Sequence, residues 1–203
     1  QNMIRTLTMV AAFRKLDNDT PIVLMGYYNP IYAYGPERFA GDAAAAGVDG
    51  LIIVDLPPEE EAEFSVPARS AGIDIIRLVA PTTTDERIAT LVENASGFVY
   101  YVSVRGITGT SSAAASDIAS NVARIKKQTD LPVAVGFGIR TPEQAADVAQ
   151  IADAAVVGTA IVEQVAASLG PDGAPSGKVV ENTLGYVAKL AASVRIARDG
   201  GAK

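Results

Sequence analysis

The sequence predicts an α/β fold of repeated βα units, in its simplest form a (β/α)8 TIM barrel, and three observations carry that reading. Apolar, β-branched runs recur at 21–27, 50–55, 74–80, 97–103, 132–136 and 154–158. They are continuous, as in parallel strands buried on both faces, rather than alternating. Their starts lie 22 to 35 residues apart, the length of one βα unit. The last two runs, Val133-Ala-Val-Gly136-Phe-Gly138 and Ala155-Val-Val-Gly158-Thr159, pass through glycine straight into a helix start. An open, doubly wound sheet with a ligand at its switch point is the alternative architecture.

Each element has its own signals. Ile4, Leu7, Val10 and Ala11, continuing through Arg14 to Leu16, give an opening helix with one apolar face. Ala46-Gly47-Val48-Asp49 and Ala71-Gly72-Ile73-Asp74 are near copies, each placing glycine between a helix end and a strand as a left-handed cap. Thr83 with Glu86 and Thr141 with Gln144 read as capping boxes, the second with Pro142 at the first helical position. Glu59-Glu-Glu61 reads as a solvated helix N-terminus. A last helix is expected over about 178–197, after the Gly- and Pro-rich stretch 170–177, with 198–203 as a frayed tail. Six units are present, and a closed barrel needs eight strands in typically ~250 residues. The expectation is therefore one domain over 1–203, a partial barrel whose first two strands lie upstream of Gln1.

Composition narrows the chemistry. The 203 residues are 49% hydrophobic and 20% charged, enough for one sizeable core. A net charge of −6 without a long basic run argues against nucleic acid. No apolar run approaches the ~18–20 residues that span a bilayer, so no membrane partner is expected. There is no histidine and no cysteine. That excludes disulfides, thiol nucleophiles, imidazole bases and Cys/His zinc sites, so acid–base work falls to carboxylates, tyrosine, lysine or water. No metal site is expected, and the absence of cysteine is compatible with the cytoplasm.

In such folds function collects at the C-terminal ends of strands. Two adjacent glycine loops opening onto helix N-termini can hold a phosphate by main-chain N–H groups, or can simply make tight turns. Asp55 ends an apolar strand, either orienting a substrate or a catalytic group or capping the next helix. Tyr27 and Tyr100 either line a pocket for a flat apolar ligand or pack in the core. The polar stretch from Val104 to Ser116, with Gly106-Ile-Thr-Gly109, is either a lid or a passive connection.

These residues resemble a known family, that of the tryptophan synthase α subunit. The resemblance runs through Pro21-Ile-Val-Leu-Met-Gly-Tyr-Tyr-Asn-Pro30, Ile53-Val-Asp55-Leu-Pro57, Ser103 with Gly106-Ile-Thr-Gly109, Gly136-Phe-Gly138 with Thr141-Pro-Glu-Gln144, and Gly158-Thr-Ala-Ile-Val162. It implies a lyase of tryptophan biosynthesis that cleaves indole-3-glycerol phosphate to indole and glyceraldehyde 3-phosphate, with no cofactor of its own. It implies a heterotetramer with a β subunit that carries pyridoxal phosphate and receives the indole. It gives the phosphate to Gly109, Gly138, Gly158 and Thr159, and the indole pocket to Met25, Tyr27, Ile52 and Phe137. Accessory roles fall to Tyr100, Thr108 (in the lid) and Asp55, and the partner interface to Asn29, Tyr32 and Pro57. The family's principal Glu and Asp lie on elements that precede the opening helix, so the resemblance supplies this chain with most of the cradle and not with that pair. The competing expectations are another phosphate-binding barrel enzyme of sugar-phosphate or aromatic biosynthesis, and a truncated chain that only binds.

Overall fold

The computed structural model describes residues 2–103, 112–136 and 138–200. The described chain divides into two compact units, Gln1–Leu78 with Thr84–Val99, and Val79–Thr83 with Tyr100–Lys203.

The first unit opens with α1 (Met3–Arg14), whose N-terminus is capped by Asn2: its side-chain oxygen accepts from the Arg5 N–H at 3.0 Å. There follow β1 (Val23–Gly26), α2 (Tyr28–Tyr34), α3 (Pro36–Ala46), β2 (Gly50–Ile53), α4 (Ala62–Ser70) and β3 (Asp74–Ile75). β1, β2 and β3 form a parallel sheet in that order, with Met25 beside Ile52 and Leu51 beside Ile75. Alternation along each strand sends Leu24, Leu51 and Ile75 towards the helices. There they join Leu7 and Val10 of α1, Phe39 and Ala43 of α3, and Phe64 and Ala68 of α4 in one core. Phe39 and Phe64 meet with ring centres 6.1 Å apart. Arg14 fastens the end of α1, donating to the carbonyls of Gly47 at 2.8 Å and Thr20 at 2.7 Å and pairing with Asp49. Gly47 and Gly72 both have positive φ, as their place after a helix predicts.

The run read as one strand over 74–80 is two strands here. β3 completes the first sheet, whereas β4 (Arg77–Val79) belongs to a second one. On the other edge of Ile75 no strand among the described residues continues the ladder. Its N–H goes to the Ser96 hydroxyl at 2.9 Å and its carbonyl accepts the Ser96 N–H at 3.0 Å. A serine thus ends the pairing where a continuous apolar run concealed a break.

The helix after β4, α5 (Asp85–Glu93), starts one residue later than expected. Thr84 caps it by accepting from Arg87 N–H, while the Thr83 hydroxyl accepts from Ala80 N–H at 3.0 Å. The acidic run before α4 also differs from its reading. Glu61 is buried, not solvated, and pairs with the buried Arg77, whose guanidinium also reaches the Leu56 carbonyl. Burial pulls Arg77 below its ordinary pKa, partly offset by the charge of Glu59. Glu59 itself pairs with Arg87.

The second sheet has the order β4, β5 (Val99–Val102), β6 (Val133–Gly136) and β7 (Ala154–Val156). β6 and β7 are parallel, with Gly136 beside Val156. All four residues of β6 are buried. The helices are α6 (Ser112–Lys126), α7 (Pro142–Ala149), α8 (Thr159–Ala167) and α9 (Val179–Gly200), and α9 packs on both α7 and α8. α9 takes in 198–200, which the sequence reads as tail, and Arg198 donates to the Asp153 carbonyl. Residues 201–203 lie outside the described residues.

The Glu61–Arg77 pair gives a direct stability test. Removing one partner of a buried ion pair leaves the other charge desolvated, at a cost of about 3–5 kcal/mol, whereas replacing both by apolar groups is often neutral. Arg77→Met should therefore lower the urea midpoint strongly, and Arg77→Met with Glu61→Leu should recover most of the loss. Equal midpoints for Arg77→Met and the parent would show that the pair carries no such weight.

Candidate functional site

In the first unit, the sheet face opposite the helices carries Met25 and Ile52, adjacent in register on neighbouring strands. The structure thus brings together two residues expected in the apolar pocket. Ile52 is buried and Met25 is 60% exposed. Tyr27 continues the β1 alternation on that face in extended backbone, 65% exposed, so the core-packing alternative does not hold for it. Asp55 is exposed, not buried, and its carboxylate accepts the Tyr28 N–H at 2.7 Å. It is a cap, but on α2 rather than on the helix that comes after it. Asn29 and Tyr32 lie on α2 and are exposed, whereas Pro57 is exposed beyond β2. The Tyr32 ring stands 6.0 Å from that of Tyr28, which packs against Phe64 at 5.9 Å. Core packing therefore orients the helix that displays Asn29 and Tyr32.

In the second unit, Tyr100 and Tyr101 alternate. Tyr101 is fully buried, while Tyr100 is half-buried and lies over Gly136. A Cβ at 136 would stand 2.6 Å from Cε2 and 2.9 Å from Cζ of the Tyr100 ring, so a side chain there is excluded. Burial raises the Tyr100 pKa. At the end of β5 the Ser103 N–H donates to the Gly136 carbonyl at 3.1 Å.

Two helix starts come next. Gly138 has φ of 64°, a left-handed conformation that glycine adopts without penalty. The N-terminus of α7 beyond it is closed by the capping box expected from Thr141 and Gln144. Thr141 Oγ1 accepts from Gln144 N–H, and Gln144 Oε1 accepts from both Arg140 N–H and Thr141 N–H. The N-terminus of α8 is different. Its cap is Gly158, with no side-chain hydrogen bond, and Thr159 at its first position is exposed. A Cβ at Gly158 would meet nothing within 4 Å. The start of α8 thus has no side-chain cap and room at Gly158, with the positive end of the helix dipole behind it, an arrangement that suits an anion. Of the two glycine loops, the second provides the open helix end.

Thr108, Gly109 and Phe137 lie outside the described residues, as does the expected lid through 111; residues 112–116 begin α6. Reading the sequence missed Arg140, whose guanidinium makes a two-pronged pair with Glu163 of α8, at 2.6 and 3.0 Å. It also missed Tyr186 of α9, whose hydroxyl donates to the Arg140 carbonyl at 2.6 Å. The separation of Arg140 from Glu163 equals one βα repeat, the only trace of this contact in the sequence.

The close approach at Gly136 generates a prediction. Gly136→Ala should destabilise by about 1–3 kcal/mol, the usual cost of forcing a methyl into a filled site. Removing the obstructing ring in the same chain, as Gly136→Ala with Tyr100→Ala, should cost less than the two single changes summed. Additive losses in thermal unfolding would place Tyr100 elsewhere.

The sequence pattern of the tryptophan synthase alpha chain family matches residues 1–192. The tryptophan synthase alpha chain of Acidiphilium cryptum (strain JF-5) is 56% identical over 191 residues, covering 94% of this chain and 69% of that relative. A crystal structure of the alpha chain from Legionella pneumophila superposes with a TM-score of 0.83 at 36% identity, covering 96% of this chain and 70% of that one. A chain of the α2β2 complex of Pyrococcus furiosus gives 0.82 at 35% identity, with 95% and 75% covered. These similarities bear out the α/β barrel-family class read from the strand repeat. The chain belongs to the tryptophan synthase alpha chain family.

Proposed function

We propose that this chain serves the retro-aldol cleavage of indole-3-glycerol phosphate to indole and glyceraldehyde 3-phosphate. The observation that carries the reading is the uncapped N-terminus of α8 at Gly158 and Thr159, beyond the left-handed Gly138 loop, in a chain of this family. Backbone amides there bind the substrate phosphate. By resemblance Met25, Tyr27 and Ile52 belong to the indole pocket; Met25 and Tyr27 are exposed and Ile52 is buried. In the second unit Tyr100 is half-buried over Gly136. Thr108, Gly109 and Phe137 enter by resemblance alone.

The reaction breaks the bond between the indole ring carbon and the glycerol chain. A base takes a hydroxyl proton as the carbonyl forms, and an acid returns a proton to the ring carbon. In the family pattern a Glu and an Asp, on the first two strands and the loop after them, ahead of the opening helix, do this work. Asp55 is engaged by the Tyr28 N–H, so we assign the described residues to holding the substrate, not to moving the protons. The chain uses no cofactor or metal of its own in this reading, and pyridoxal phosphate belongs to the β subunit.

A β subunit docks on the face that displays Asn29, Tyr32 and Pro57, and the α2β2 complexes among the related structures support that partner. No helix among the described residues is long and apolar enough to cross a membrane. With a biosynthetic family and no cysteine, this supports the cytoplasm as the place of work.

Gly158 has room for a side chain, so Gly158→Asp tests charge rather than fold. Calorimetric titration with glycerol phosphate should show binding by the parent and at least a tenfold loss in Gly158→Asp, with thermal stability little changed. Equal binding by the two proteins would overturn the phosphate assignment.

The docking face is tested through Tyr32, which is 58% exposed. Tyr32→Glu buries a charge in the proposed interface. It should abolish co-sedimentation with a tryptophan synthase β subunit while leaving glycerol phosphate binding intact. Unimpaired co-sedimentation would move the interface elsewhere.

A further inference from the structure

Arg140 stands two residues beyond Gly138, and each of its polar groups is held by a different helix. Its backbone N–H is taken by Gln144 of α7 at 2.8 Å. Its carbonyl accepts the Tyr186 hydroxyl of α9 at 2.6 Å. Its guanidinium grips Glu163 of α8 at 2.6 and 3.0 Å. The two side chains of that pair are 56% and 50% exposed. An exposed pair of this kind adds at most about 1 kcal/mol to stability, so its three-way attachment is out of proportion to what it stabilises. What it does control is geometry. The loop that carries Gly138 cannot move relative to the start of α8 without breaking one of these contacts.

We propose that Arg140, with Glu163 and Tyr186, is a positioning clamp that fixes the Gly138 loop against the N-terminus of α8 and so sets the gap in which a phosphate ester is held. The inference rests on the phosphate reading above. Amide cradles work only when their donors are held to within about half an ångström of the bound geometry. Two loops reaching one anion from separate βα units need a cross-tie, and the Arg140–Glu163 fork supplies one of fixed shape. The pair also has an electrostatic role. Glu163 is the fifth residue of α8, within two turns of the amides that would meet the anion. Its carboxylate would repel a phosphate, and the guanidinium cancels that charge.

A set of variants separates the clamp from a simple charge effect. Glycerol phosphate affinity is measured by calorimetry for the parent, Arg140→Gln, Glu163→Gln, Tyr186→Phe, and the exchange Arg140→Glu with Glu163→Arg. Thermal unfolding is recorded for each. If Glu163 acts only as a repelling charge, Glu163→Gln binds glycerol phosphate more tightly. If it is part of the clamp, Glu163→Gln weakens binding about threefold or more, as does Tyr186→Phe. The exchanged pair, which restores the cross-tie with reversed polarity, recovers affinity relative to Arg140→Gln. Unfolding temperatures stay close together, because the pair is exposed. Unchanged or tighter binding by Glu163→Gln, or no recovery in the exchanged pair, overturns the clamp while leaving the phosphate site standing. Absence of binding by the parent overturns the phosphate reading and the clamp with it.

Discussion

A parallel strand buried on both faces cannot carry charge without compensation, and that constraint decides where everything polar in this chain lies. β6 is buried along its whole length and contains only valine, alanine and glycine. Its neighbours β5 and β7 hold no charged side chain, and neither do β1 and β2 in the other sheet. Groups that can bind or react are thereby displaced to the residues just past each strand, where backbone amides and helix starts are exposed. Asp55, Gly138, Gly158 and Thr159 all stand in such positions. The charge buried within β4, Arg77, shows what the constraint demands, because Glu61 is drawn into the interior to meet it.

Helix starts are the second consequence. Every helix leaves unpaired N–H groups at its beginning, and a chain must spend side chains on them or leave them for something else. α1, α5 and α7 are capped by Asn2, Thr84 and Thr141, while the carboxylate of Asp55 takes the first N–H of α2. At α8 a glycine stands in the capping position. Closing α7 and leaving α8 open is a division of labour. The box at Thr141 makes α7 a rigid support, and Gln144 within it also holds Arg140. The open end next to it is then presented by a framework that does not itself need the ligand to be satisfied.

Features encoded by local physics are legible in the residues alone. The Gly47 and Gly72 turns and the Thr141 box each rest on a few adjacent residues and are found where expected, and the strand repeat is found everywhere but at 74–80. The features that escape such a reading depend on contacts between distant residues. At the break after Ile75 its N–H is taken by Ser96, 21 residues on and just beyond α5. The acidic run at 59–61 looks solvated by composition, yet Glu61 is recruited by an arginine on a strand still to come. Asp55 looks like a cap for the next helix in the chain, and it caps one that precedes it by more than twenty residues. In the site, the glycines announce themselves by type. Arg140, Glu163 and Tyr186 are ordinary surface residues in composition, and only their coincidence in space gives them meaning.

The two ion pairs show why burial, rather than bond length or charge, decides what such a contact is for. Arg77 and Glu61 have side chains 6% and 4% exposed, so both charges have surrendered most of their hydration. Their attraction mainly repays that loss, and the pair becomes costly only when half of it is removed. Arg140 and Glu163 keep about half their surface in water and gave up little to meet. For them the net stabilisation is small whichever way it is counted. Selection for stability has little to act on at Arg140, yet the residue is tied to three helices at the foot of a glycine loop. A contact that adds little to the fold but restricts where a loop can stand matters through whatever that loop must hold, and here the neighbouring structure is the uncapped start of α8.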